Sequence, residues 1–266
     1  MNAAQQTAKQ LSSVTFFEFR NILKSWRFII PLAITLGIFA MAFITGSDAA
    51  RAHEYDPVEF LRAMVGSSAL LLGIYAAVSS SDSLSSEYDK KTGLVLFTKP
   101  VSKYTIYSGK LLSRYLLGLI IISIYYVLAY LSCILVCSHA PVTLGLSFLL
   151  SLLYLFAAIG IAMFFSSISP KSMVATMLSF MTLVVLTLFI QSITISSFEP
   201  WYSFSYSSGA IENIVSDRCT IFTSNGAGSF STNEYIPETV ISTIVMGIYG
   251  VFSTLFSAVF FRYRTL

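Results

Sequence analysis

The chain has 266 residues, 55% of them hydrophobic and only 11% charged, with 16 Lys and Arg against 13 Asp and Glu. A mean hydropathy of +0.75 fits a polytopic membrane protein, and a net charge of +3 this thinly spread is no signal for nucleic acid. Three cysteines are too few to specify a disulfide framework.

In chain order, residues 1–27 are expected to form a cytoplasmic N-terminus that includes an interfacial helix from 11 to 27. Phe16, Phe19, Leu23 and Trp26 recur at i, i+3, i+7 and i+10, while Arg20, Lys24 and Arg27 fall elsewhere around the helix. Such a helix lies in the headgroup layer. The plainer alternative is that these residues are only the polar start of the first span.

Six stretches without Asp, Glu, Lys or Arg follow, at 28–45, 63–80, 115–137, 144–165, 173–195 and 239–261. Each is about long enough to cross a hydrocarbon core of roughly 30 Å as a helix. The predicted fold is therefore an all-α membrane protein with a six-helix transmembrane domain over 28–261. A leader peptide cut near Ser47-Asp48-Ala49-Ala50 is the alternative for the first stretch. The long segment before it, which includes Glu18, and the length of its apolar part argue against that.

Asp56-Pro57-Val58-Glu59 reads as a helix start, with Asp56 as cap and Pro57 in the first position. Arg62, one turn in, is expected to snorkel outward. Between spans two and three, the segment 81–114 carries Lys90, Lys91, Lys99, Lys103, Lys110 and Arg114. It is longer than a hairpin needs and too short for a catalytic domain. Pro100 should end any helix near Lys99, and Ser102 should cap the next, which runs through Lys110 into the third span.

Cys133 and Cys137, four residues apart, read as buried membrane thiols. A disulfide, or a metal site shared with His139, stands as the alternative. The loop 196–238 gathers Phe198, Trp201, Tyr202, Phe204 and Tyr206 near its start. Aromatic rings collect at membrane interfaces, and these five are expected to act as an outer gate. Ile211, Ile214 and Val215, after Ser207-Ser208-Gly209, predict a short helix, and Asn225-Gly226-Ala227-Gly228-Ser229 a turn.

Charge sorts by side. With the N-terminus cytoplasmic, the segments 1–27, 81–114, 166–172 and 262–266 hold thirteen of the sixteen cations, and only Arg51, Arg62 and Arg218 lie outside. The acidic residues divide the other way, giving +9 inside and −6 outside. Positive-inside bias thus predicts both termini in the cytoplasm.

Most chemistry is excluded. His53-Glu54 has no second histidine four residues after the first, and no G-x-x-x-x-G-K-S/T loop occurs, so neither a helical zinc protease nor an ATPase is expected. The spans offer only Gln191, hydroxyls, cysteines and aromatics, which disfavours a proton-driven carrier or a charge-selective channel. Any energy source lies in another subunit.

Residues 87–110 then become specific. Glu87, Thr92-Gly93, Leu94-Val95-Leu96-Phe97, Pro100-Val101-Ser102-Lys103 and Gly109-Lys110 resemble, in this order, the inner loop of type 2 ABC transporter permeases. Thr92-Gly93 reverses the commoner order, and Lys103 stands where Arg is usual. The layout agrees: an elbow helix carrying Glu18, six spans, a long outer segment before the last, and the basic tail 262–266. It is similar to the layout of the permease serving nitrous oxide reductase maturation.

The resemblance implies a permease subunit in the cell membrane that pairs with a second copy of itself and binds a separate ABC-type ATP-binding subunit. That subunit would carry ATP and Mg, leaving this chain without cofactor or metal. Glu87, Thr92, Gly93, Leu94, Leu96, Phe97, Pro100, Ser102, Lys103 and Lys110 would form the coupling interface, and Phe16, Glu18, Phe19, Leu23 and Trp26 the elbow. Charge-free spans point to a hydrophobic or amphiphilic cargo, and the resemblance implies export. A non-transporting assembly protein that uses the 196–238 loop, or an intramembrane enzyme, is the rival.

Overall fold

The computed structural model describes residues 3–52, 57–89, 102–138, 141–186, 189, 201–215 and 238–263, and the regular structure within them is helical. In order these helices are α1 (Ala3–Leu23), α2 (Trp26–Ala52), α3 (Pro57–Gly66), α4 (Ser68–Ser79), α5 (Ser85–Asp89), α6 (Lys103–Cys137), α7 (Leu144–Ile168), α8 (Ser172–Phe180, continued by a π-helical turn Met181–Val185), α9 (Phe204–Asn213) and α10 (Thr239–Tyr263).

Five helical stretches are long and apolar enough to cross a membrane: Trp26–Asp48, Phe60–Ser79, Lys103–Cys137, Leu144–Ile168 and Thr239–Tyr263. The remaining predicted span, 173–195, is a shorter apolar helix over Ser172–Val185, and most of its second half lies outside the described residues.

Local chemistry explains the boundaries. The N-terminal helix begins at Ala3 and ends at Leu23, whereas 11–27 was expected. The break falls at Ser25, whose N–H and hydroxyl both donate to the Ile22 carbonyl at 2.9 and 2.7 Å, a local bond that competes with the helical ladder. The Ser25 carbonyl then accepts from Phe28 N–H at 3.1 Å and opens α2. Trp26 therefore belongs to the start of the first span and not to the elbow. Pro57 takes the first position of α3 as expected.

The second span is interrupted at Ser67, between the helices ending at Gly66 and starting at Ser68, a small-residue site of the kind where helices break. The Tyr125 hydroxyl donates to the Met64 carbonyl freed there, at 2.6 Å, and lies 2.6 Å from the Ser67 hydroxyl. Ser102 caps α6, accepting from Thr105 N–H at 3.1 Å. The helix stops where Ser138 turns left-handed at φ 67°.

The centre of the bundle is α7, whose Tyr154, Leu155, Ala157, Ala158, Ala162 and Met163 are all buried. It crosses α10 at two glycines. A Cβ on Gly250 would lie 2.7 Å from the Phe156 ring, and one on Gly160 would lie 3.2 Å from the Gly250 carbonyl. Small residues bring helices this close where lipid, not water, surrounds them. The outward faces of α2 and α10 are aliphatic and aromatic, with Ile30, Leu36, Met41, Ile244, Ile248 and Phe252 exposed.

This packing sorts polar groups to two ends. One end gathers α1, α5, the starts of α2, α6 and α8 and the last turns of α4, α7 and α10; it is called the charged end below. The other carries α3, α9 and the start of α7.

Candidate functional site

At the charged end the site is built on α6. Lys110 is only 2% exposed, and its Nζ meets two carboxylates, Glu87 Oε1 of α5 at 2.9 Å and Glu18 Oε1 of α1 at 3.0 Å. Gly109 makes the second contact possible: a Cβ there would lie 2.7 Å from Val14 Cγ1, so only glycine lets α1 approach this closely. A buried lysine is tolerated because it is paired on both sides.

The chain between α4 and α5 is held by hydroxyls. Residues Ser79 to Ser85 are buried yet not helical over 80–84, and their backbone groups need partners. The N–H groups of Leu84 and Ser85 both donate to Ser166 Oγ at 3.0 Å. The Ser79 hydroxyl donates to the Arg27 carbonyl at 3.0 Å, and that of Ser81 to Thr176 Oγ1 at 3.0 Å. Buried Asp82 pairs with Arg27 at 2.5 Å.

Arg114, one turn beyond Lys110, is also buried, and its carbonyl accepts from the Tyr75 hydroxyl at 2.6 Å. Glu18 and Glu87 thus face Lys110, and Asp82 faces Arg27, while Arg114 is buried on the same helix as Lys110. Lys103 donates to the Arg262 carbonyl at 3.2 Å, and Arg262 bonds the Tyr104 hydroxyl at 3.1 Å. These bonds tie the start of α6 to the end of α10.

At the opposite end, α9 lies across the bundle with Ala210, Ile211 and Val215 buried. The Ser147 hydroxyl donates to the Ile211 carbonyl at 2.7 Å and lies 2.9 Å from the Tyr126 hydroxyl. Phe204 stacks on Tyr154 with centroids 4.6 Å apart. Arg62 Nε pairs with Glu212 Oε1 at 2.9 Å, so Arg62 does not snorkel outward as expected. A carboxylate brought back by α9 holds it at the bundle.

The structure therefore brings together Glu18, Glu87 and Lys110, with Phe19 packed against the core nearby, while Phe16 and Leu23 face outward. It turns Lys110 inward, with Glu87 mostly buried beside it, and leaves Ser102 at the surface. Thr92, Gly93, Leu94, Leu96, Phe97 and Pro100 lie outside the described residues, as does Phe198. Of the other gate aromatics, Phe204 is buried, Tyr206 half-buried, and Trp201 and Tyr202 exposed. The predicted short helix starts earlier than expected, at Phe204.

Sequence reasoning missed Arg114, Asp82 and the buried serines. The i, i+4 spacing of Lys110 and Arg114 was the available signal for the first. Nothing beside Asp82 in sequence points to Arg27. Cys133 and Cys137 are buried thiols one turn apart, while Cys219 and His139 lie outside the described residues.

Residues 13–199 match the family model described as ABC-2 family transporter protein. The match runs from α1 through the charged end to the residues before α9. No curated protein matches the chain.

Proposed function

The chain belongs to the ABC-2 transporter family, the membrane permease subunits of ABC transporters, and from that premise we propose that the charged end is where a separate ABC-type ATP-binding subunit drives it. In this reading the charged end and both termini face the cytoplasm. The 90–101 segment, with Leu94, Leu96, Phe97 and Pro100, meets the ATPase. Two copies, each with six spans, assemble in the cell membrane. ATP and Mg reside in the partner.

The observation that supports this is the Glu18–Lys110–Glu87 cluster. It joins the N-terminal helix, the short helix leading into the 90–101 segment and the third span at one buried atom. A push on that segment is carried by Glu87 into α6 and α1 together, because separating buried charges is costly. The role of Glu87 and Lys110 is then to brace the interface from behind, while Leu96 and Phe97 make contact.

Charged groups stay at the two ends and the faces between are apolar and hydroxylic, which favours a hydrophobic or amphiphilic cargo; outward movement is carried over from the family resemblance. Trp201 and Tyr202 cover the exit. Leu96→Asp with Phe97→Asp leaves every residue of the ion cluster in place and should abolish co-purification of the ATPase, with unfolding temperature unchanged. Full retention of the ATPase by that double variant would overturn the reading.

A further inference from the structure

The buried cations of the charged end are unevenly partnered. Lys110 holds two carboxylates, while Arg114, equally buried, has neither Nε nor Nη1 bonded among the described residues. The two cations sit four residues apart on one helix face, about 6 Å along the axis. A helical side chain of this length leans toward the preceding turn, here the turn of Lys110. Two buried guanidinium donors unbonded among the described residues are costly, and a carboxylate reaching them would relieve that cost.

Three buried or mostly buried carboxylates stand in this layer, with Asp89 exposed at the end of α5. Glu18 is part of the long helix α1, packed on Gly109 through Val14 and Thr15. Asp82 is held by Arg27 through Oδ2, its Oδ1 is buried and unbonded among the described residues, and its neighbours Ser79 and Ser81 fix its backbone by bonding to α2 and α8. Glu87 is different. It sits on α5, a helix of only five residues, tied at its start by Ser166 and at its end by Tyr88 packed edge-on to Phe261 and by Asp89, which accepts from the Ser172 N–H at 3.4 Å, and it leads into the 90–101 segment.

We propose that Glu87 has two stations on α6, Lys110 in the arrangement described here and Arg114 in the alternative one, and that Arg114 is the positioning residue that completes the exchange. The two stations are four residues, about 6 Å, apart along the axis of α6. No net charge is created, since Glu18 stays on Lys110 and each cation then holds one carboxylate. Tyr75, bonded to the Arg114 carbonyl, keeps that turn of α6 in place. The exchange rests on the reading above for its trigger, a displacement of the 81–114 segment by the ATPase, and not for its chemistry.

The test is thermal unfolding of the full chain in lipid nanodiscs, in a Glu18→Gln background that isolates Glu87. Arg114→Met alone removes an unpaired buried charge and should leave the unfolding temperature unchanged or raise it. Once Lys110→Met has taken away the first station, the same substitution removes the second, and the temperature should fall by at least about 5 °C below that of Lys110→Met. Should the double variant fail to fold, Lys110→Met with Arg114→Lys, which keeps a cation at the second station, must fold and recover the loss.

Equal effects of Arg114→Met in the two backgrounds overturn the proposal. So does a sign change that survives Glu87→Gln and disappears with Asp82→Asn, because the partner is then Asp82. These measurements need no ATPase, so their failure leaves docking of that subunit standing, and failure to dock leaves these shifts unchanged.

Discussion

Lys110 at one end of the bundle and Ser147 at the other each join three elements, and they do so by opposite means. Lys110 holds α1, α5 and α6 through two carboxylates. Ser147 holds α6, α7 and α9 through a hydroxyl and a backbone carbonyl. A buried ion cluster is costly to break by removing one member, about 3 to 5 kcal/mol, yet it can be re-paired wherever a second cation stands nearby. A hydroxyl bond between membrane helices is worth only about 0.6 kcal/mol, but it is short and directional, and the other partner of the Tyr126 hydroxyl, Ser151 at 2.7 Å, lies on the same helix α7. The charged end is thus suited to discrete movement, and the α9 end to staying closed.

The largest effect that sharpens this contrast is expected from Lys110→Met, which leaves Glu18 without its buried partner. Unfolding in nanodiscs should show a loss of about 3 kcal/mol or more. Adding Glu18→Gln should return most of it, because Glu87 still has Arg114. A similar loss with and without Glu18→Gln would place the damage elsewhere.

Phe204→Ala comes next. It removes a buried ring stacked on Tyr154 and should cost about 3 kcal/mol, confined to α9. Amide exchange should rise across 204–215 and stay unchanged in 103–118. Faster exchange at both ends would break the comparison by showing that the ends are coupled.

Ser147→Ala should cost about 1 kcal/mol and be detectable only as faster exchange near Ile211. The smallest effect belongs to Arg62 and Glu212, both part-exposed. A double-mutant cycle between them should give a coupling of about 1 kcal/mol or less that shrinks as salt is added. A coupling as large as that of Lys110 would make the α9 end a second ion-held end.

Much of the helix pattern was readable because hydrophobic length and caps are local. Ser102 and Pro57 stand at the starts of their helices, and four of the long spans lie within a few residues of the stretches read from charge spacing. The N-terminal helix was misread at Trp26 because the break depends on the Ser25 hydroxyl, which periodicity does not register. Pairings were less accessible. Glu18, Glu87 and Lys110 all stood out in the sequence, but as separate features, since residues 92 positions apart at the extremes carry no local mark of contact. Arg62 was misjudged for the same reason: its partner, Glu212, arrives from another part of the chain.

The central claim is that an ATPase meets the 90–101 segment on the cytoplasmic side. In a background with Cys133, Cys137 and Cys219 replaced by Ser, Thr98→Cys offers one thiol to an impermeant maleimide. The account predicts no labelling in sealed cells, labelling in inside-out vesicles stripped of the ATPase, and protection when the ATPase is bound. Labelling in sealed cells, or in inside-out vesicles to the same extent with the ATPase bound, would contradict it.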